Sequence, residues 1–224
     1  MSTANTVSRR TAALWLLISS LFSICLGYWI EISKDAGSLG DFRAIYYGSR
    51  IVIDHHDPYN AREFLQTYLQ DGGTVPTEPE RKQGFLRAVP VCVNLPTTLL
   101  VVSPLALLPW TAAHYLWMTL MPLALMLSAW LIWDLAGERA PRLTLFLLCL
   151  VMSNCQVLLI LGNGSGLAVS LCVAAVWCFV KQRYEALGVL CFTLGLALKP
   201  QEVGLIWLFL LLASVLPRKA VPAA

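Results

Sequence analysis

The chain has 224 residues, 58% hydrophobic and only 13% charged. A soluble domain carries roughly 25% charge, so half that share places most of this chain in lipid and makes it an integral membrane protein. The net charge of +3 is too small and too scattered for a nucleic-acid surface. Of the seven cysteines, Cys25, Cys149, Cys155, Cys172, Cys178 and Cys191 lie in apolar runs without CxxC spacing, and they read as small buried hydrophobes.

Ser8-Arg9-Arg10 precedes an apolar run over 11–30, long enough to cross a bilayer. It is too long for the core of a cleaved signal peptide and ends in Tyr28-Trp29-Ile30, with no small-residue cleavage site. It reads as a first transmembrane helix whose N-terminus is held in the cytoplasm by Arg9 and Arg10.

Residues 31–94 exceed an ordinary connection, so they carry structure of their own. Ser38-Leu39-Gly40 signals a turn. Asp41 then opens a helical pattern in which Phe42, Ile45, Tyr46, Ser49, Val52 and Ile53 share one face. Asp57-Pro58-Tyr59 stops it, because proline disfavours helical geometry in the residue before it. A second amphipathic helix is predicted over 60–70, where Asn60 and Glu63 resemble a capping box and Phe64, Leu65, Tyr68 and Leu69 form the apolar face. Asp71-Gly72-Gly73 ends that helix, and residues 74–82 read as a mobile loop.

Further transmembrane helices are predicted within 91–216. The run 91–109 is kinked by Pro96 and Pro104, and 111–133 is flanked by Trp110, Trp130 and Trp133 as interfacial aromatics. A charged loop, 134–142, precedes the run 143–161, which holds Ser153-Asn154 at its middle. Gly162-Asn163-Gly164-Ser165-Gly166 breaks the pattern before 167–180, and Lys199-Pro200-Gln201-Glu202 separates 187–198 from 203–216.

If every run crossed once from a cytoplasmic N-terminus, Lys181 would emerge outside, against the preference of Lys181, Arg183, Arg218 and Lys219 for the cytoplasm. The simplest repair makes 143–161 a hairpin broken at Ser153-Asn154, with its freed backbone groups satisfied by protein or a cavity. The N-terminus, Lys181 and Ala224 are then cytoplasmic, while Asp41, Glu80 and Lys199 face outside.

Asp41 has two readings, as a cap of the helix it starts and as a general base held at the lipid boundary beside Phe42, Tyr46 and Tyr47. Asp54-His55-His56-Asp57 has metal-binding residue types, but adjacent helical residues point about 100° apart and rarely share one ion, so no metal site is assigned. Lys199 suits either a lipid phosphate or a cation snorkelling to the interface. The glycine run lacks the Gly-Lys-Ser/Thr of a phosphate loop, and its Asn163 suits a polar cavity within a broken helix. There is no Ser/His/Asp triad or dinucleotide fingerprint.

Asp41-Phe42 with Tyr46-Tyr47 and Asp57-Pro58-Tyr59, then Leu95-Pro96, Pro104-Leu105 and Leu108-Pro109-Trp110, then Gly162-Asn163 and Lys199-Pro200, together resemble glycosyltransferase family 87. The resemblance runs from about residue 11 to 216 and covers about the N-terminal half of a usual member. It differs at Asn94-Leu95-Pro96, where the family has Tyr-Pro-Pro, and at Gly162-Asn163, where it has Gly-Gln.

The resemblance implies an all-α, polytopic fold of GT-C type, with the two amphipathic helices in a long first extracytoplasmic loop. It also implies an inverting enzyme of the bacterial inner membrane, with Asp41 as base and Tyr46, Tyr47, Asn163 and Lys199 against substrate. The enzyme would move mannose from a polyprenyl-phosphate donor to a lipid or glycan acceptor, without cofactor. A C-terminal partner chain would supply the family's remaining spans. The competing class is a truncated, non-catalytic membrane protein or a lipid-binding scaffold subunit.

Overall fold

The computed structural model describes residues 7–33, 40–73, 91–137 and 139–215. The Ser38-Leu39 turn signal, the 74–82 loop, Glu80 and the basic residues Arg218 and Lys219 lie outside them. The described residues are helical, without strands: α1 (Arg9–Ser33), α2 (Gly40–Ile53), α3 (Ala61–Gln70), α4 (Pro96–Ala106), α5 (Trp110–Ala136), α6 (Pro141–Ser153), α7 (Gln156–Leu161), α8 (Ser165–Val180), α9 (Glu185–Leu198) and α10 (Pro200–Val215). Three stretches are long and apolar enough to cross a membrane, namely Arg9–Ile30, Trp110–Ala136 and Pro141–Leu161.

The bundle has two chemically distinct ends. Asp134, at the end of α5, pairs with Lys181 at 3.0 Å and with Arg9 at 3.5 Å, and accepts the indole N–H of Trp177. Arg10, Arg139, Arg142 and Arg183 adjoin these residues in sequence, so this end is basic. At the opposite end α2 covers the start of α5 with an aromatic cluster. Phe42 stacks on Trp117 at 4.6 Å and on Trp110 at 5.6 Å, and Tyr46 meets Trp110 edge-on at 5.2 Å.

The predicted amphipathic helices form nearly where the periodicity places them. Asn60 caps α3 by accepting the Arg62 N–H, and its own amide donates to Glu63. The buried face of α2 is wider than predicted, taking in Ala44, Tyr47, Gly48 and Ile51, because α3, α4 and the bundle all pack on this helix. Arg50 joins α2 to the end of α3 through Asp71 at 2.7 Å.

The structure relocates the element that fails to cross. The stretch 143–161 is no hairpin. The Ser23 hydroxyl donates to the Met152 carbonyl, and Gly27 packs on Leu159, so α6 and then α7 advance alongside α1 in the same direction. At the break, the Asn154 amide donates to Leu150 O and the Cys155 thiol to Val151 O, healing the interrupted ladder so that the chain continues onward.

The element that begins and ends at the same end of the bundle is α4. Its 11 residues reach about 16 Å, against a hydrocarbon core of about 30 Å. Both its ends are fixed to the aromatic end. Thr98 donates to Leu198 O at 2.7 Å and Tyr46 donates to Leu108 O at 2.7 Å, while between them Ser49 donates to Leu99 O at 2.9 Å. Proline sets the length, since Pro96 begins the helix and Pro109 precedes α5. Dropping α4 rather than 143–161 from the crossings still leaves Lys181 at the Arg9 end and Lys199 at the Asp41 end. Residues 134–142 then lie with the basic end, and the 107–110 turn with the aromatic end.

Trp110 and Trp133 both take part in packing. Trp133 is buried with Ala12, Leu16 and Leu148, and Trp110 joins the cluster under α2.

Candidate functional site

The polar feature at the aromatic end is built from two helix breaks and one helix start. After α7, Gly162 adopts the left-handed conformation, φ 63° and ψ 31°, which glycine reaches without Cβ strain. Its N–H and that of Asn163 return to the carbonyls of α7, and its own carbonyl accepts the Trp117 indole N–H at 3.0 Å. The break is thereby pinned to α5 and, through the Phe42–Trp117 stack, to the first turn of α2.

That anchoring brings Asn163 to Asp41. The Asn163 amide donates to Asp41 Oδ2 at 2.6 Å, across 122 residues of sequence. The amide's orientation follows from its other bond. Asn163 Oδ1 accepts the Ser165 N–H at 2.8 Å at the start of α8, so the nitrogen must face the carboxylate. Asp41 is half-buried in the first turn of α2, where the helix dipole favours a carboxylate. It does not cap its own helix among the described residues. Its side chain reaches across to Asn163, and Oδ1 has no hydrogen-bond partner among the described residues.

Lys199 closes α9, and Pro200 starts α10. The lysine side chain runs past Gly164, with Cε 3.9 Å from where a Cβ on that glycine would stand, beside Ile45 Cδ1 at 3.7 Å. Its ammonium, half-buried, has no ion-pair partner among the described residues. Glu202, one turn into α10, accepts the Ser165 hydroxyl at 3.3 Å and so ties the second break to the first. An apolar groove of about 210 Å³ leaves from Glu202 between α5, α8 and α10, lined along α8 by Val169, Cys172, Val173 and Val176.

Of the residues singled out in the sequence, Asp41, Asn163 and Lys199 come together here. Tyr46 and Tyr47 do not join them, being 0% and 3% exposed in the aromatic cluster. Burial pushes both phenols above their ordinary values, so both stay neutral, and Tyr46 is committed to Leu108 O. Their place is in the packing beneath the site. The Asp54–Asp57 residues lie at the far end of α2. There Asp57 accepts the Tyr59 N–H, and His56 Nδ1 stands 3.8 Å from Glu63.

Trp117, Ser165 and Glu202 were not singled out. Trp117 lies within an apolar run, and Ser165 and Glu202 lie within the two breaks, where spacing alone gives none of them a partner.

Among known families, the profile of glycosyltransferase family 87 matches residues 93–223, more than half of the chain. It includes both helix breaks, with Asn163 and Lys199, and begins downstream of Asp41. No curated protein and no solved structure matches the chain. The helical fold, the membrane-length spans and this match agree, and the chain belongs to glycosyltransferase family 87, a family of membrane glycosyltransferases.

Proposed function

We propose that the enzyme transfers mannose from a polyprenyl-phosphate donor to an acceptor hydroxyl with inversion, Asp41 acting as general base. The observation that carries this is the Asp41–Asn163 pair. One carboxylate oxygen is held by an amide whose orientation is fixed, and the other has no hydrogen-bond partner among the described residues, which leaves it to accept a proton. The acceptor oxygen forms its bond to the anomeric carbon as its proton passes to Asp41 Oδ1. The bond from that carbon to the phosphate oxygen breaks on the opposite face, and the electron pair leaves with polyprenyl phosphate. The Lys199 ammonium, which pairs with no carboxylate among the described residues, offsets the charge that develops on the leaving phosphate. The groove beginning at Glu202 suits the donor's apolar chain.

Metal and nucleotide have no part in this scheme. Transfer from a polyprenyl-phosphate sugar in native membranes is expected to survive chelation of divalent cations, and a nucleotide sugar is expected not to replace the donor. Strict dependence on a nucleotide sugar and metal would overturn the proposed chemistry.

Asn163 serves Asp41 as a positioning residue. Asn163→Ala removes the hydrogen bond but no proton acceptor. Its expected effect is a fall in kcat of about tenfold, since a hydrogen bond to a charged group contributes about 1.5–3 kcal/mol and water replaces part of it. Asn163→Gln is expected to recover part of that loss. A change confined to the acceptor KM would make Asn163 a substrate contact instead.

The protein is further proposed to be multi-pass in a bacterial inner membrane, with the basic end cytoplasmic and the Asp41 end outside. In a cysteine-free background, single cysteines at 139 and 181 are expected to resist an impermeant thiol reagent in intact cells. A cysteine at 201 is expected to react. Labelling at 139 with protection at 181 would restore the hairpin topology and refute the α4 assignment.

A further inference from the structure

A second polar site lies at the other end of α2 from Asp41. There α2 and α3 flank a cleft of about 410 Å³ lined by Asp54, His56, Glu63, Gln66, Thr67 and Gln70, over Ile51 as its floor. Asp54 stands 13 residues beyond Asp41 on the same helix and its short extension, so the two are about 20 Å apart along the axis.

The lining restricts what fits. Gln66 and Gln70 are one turn apart on α3 and present amides that both donate and accept. Their side chains and that of Asp54 are solvent-exposed and make no hydrogen bond within the protein among the described residues. Glu63 is already occupied, accepting the Asp57 N–H at 3.0 Å and the Asn60 amide at 3.0 Å. Thr67 gives its hydroxyl to Glu63 O and turns only its remaining lone pairs and methyl to the cleft. A metal ion is disfavoured, because no group of three His, Cys, Asp or Glu side chains among the described residues has the geometry to hold one. An anion is disfavoured by Asp54 and Glu63, with no lysine or arginine in the lining, and an apolar ligand by the hydration that the exposed amides would lose.

A neutral ligand rich in hydroxyl groups satisfies all of these restrictions. Its hydroxyls donate to Asp54 and to the amide oxygens, and accept from the amide nitrogens. We propose that this cleft is a carbohydrate subsite that holds the distal part of a neutral glycan acceptor, while the acceptor's reacting hydroxyl lies at Asp41. This rests on the transfer reading above and adds the acceptor class to it. The rigid α2 fixes the spacing of the two points, so short acceptors reach only one of them.

Binding needs no transfer, which allows a separate test. Saturation-transfer NMR on the full-length protein in detergent would use mannotetraose as probe, with tetragalacturonate as the anionic counterpart and magnesium as a competitor. The expected result is transfer to mannotetraose, little to tetragalacturonate, and no effect of magnesium. Gln66→Ala/Gln70→Ala and, separately, Asp54→Asn are expected to weaken the signal about tenfold, at unchanged elution on size exclusion. Asp41→Asn is expected to keep it. Equal signals in wild type and both cleft variants, preference for tetragalacturonate, or displacement by magnesium would each overturn the proposal. Loss of sugar transfer in Asp41→Asn is a separate readout. If that variant stays active, the catalytic reading falls while the cleft is judged by its own binding data.

Discussion

Asp41→Asn is expected to slow sugar transfer by about 10²–10⁴-fold, the usual effect of losing a positioned general base. The substitution is informative because it changes so little else. The side chain keeps its size, and the new amide oxygen still accepts the Asn163 N–H that now reaches Oδ2 at 2.6 Å. Asp41 holds no backbone N–H of its own helix among the described residues, so no cap is lost and only the dipole contribution of about 0.3–1 kcal/mol disappears. A large loss of rate with little loss of stability therefore reports the proton acceptor. The measurement is transfer from a polyprenyl-phosphate sugar in membranes at matched expression. Glu185→Gln, an exposed change at the basic end, serves as the control and is expected to leave the rate unchanged. A wild-type rate in Asp41→Asn would make the carboxylate structural and move the base elsewhere.

What could be read from sequence depended on how local the signal was. The α2 and α3 helices were legible because a 3.6-residue period and the Asn60–Glu63 pair are written within one or two turns. The break at Gly162 was legible because only a glycine run interrupts that apolar stretch. The Asp41–Asn163 bond was not legible, because it spans 122 residues and depends on how Trp117 and Phe42 seat two elements against each other. Counting crossings exposed a real conflict but blamed the wrong run. An asparagine inside an apolar stretch suggested a hairpin, yet Asn154 feeds its amide into the helix ladder. Pro96 and Pro109 trim the helix between them below membrane length. The stronger signal was proline at both boundaries, which limits helix length more surely than a polar side chain does.

Trp117→Ala is expected to be the most destabilising single substitution in the site's support. Trp117 is 1% exposed, stacks on Phe42 at 4.6 Å with 15° between ring planes, and donates to Gly162 O at 3.0 Å. Removing a buried aromatic of this size costs about 3–5 kcal/mol. For a chain of this length that corresponds to a fall in Tm of about 6–20 °C. The Gly162 carbonyl would also lose its partner in a buried position. Trp117→Phe separates the two contributions, since it keeps most of the stack and loses only the hydrogen bond, a change of about 1–3 kcal/mol. Thermal unfolding in detergent should therefore order the proteins as wild type, Phe, Ala. The two variants should also lose transfer activity in that order at temperatures where both remain folded, because Gly162 positions Asn163 and Asn163 holds Asp41. An alanine variant that melts within about 2 °C of wild type would show that the aromatic cluster does not hold the site together. Equal melting of the two variants would place the stabilisation in the indole hydrogen bond. If instead Trp117→Ala stays folded at the assay temperature and transfers sugar at the wild-type rate, Asp41 does not depend on the α7–α8 break for its orientation. The positioning role given to Asn163 would then fall with it.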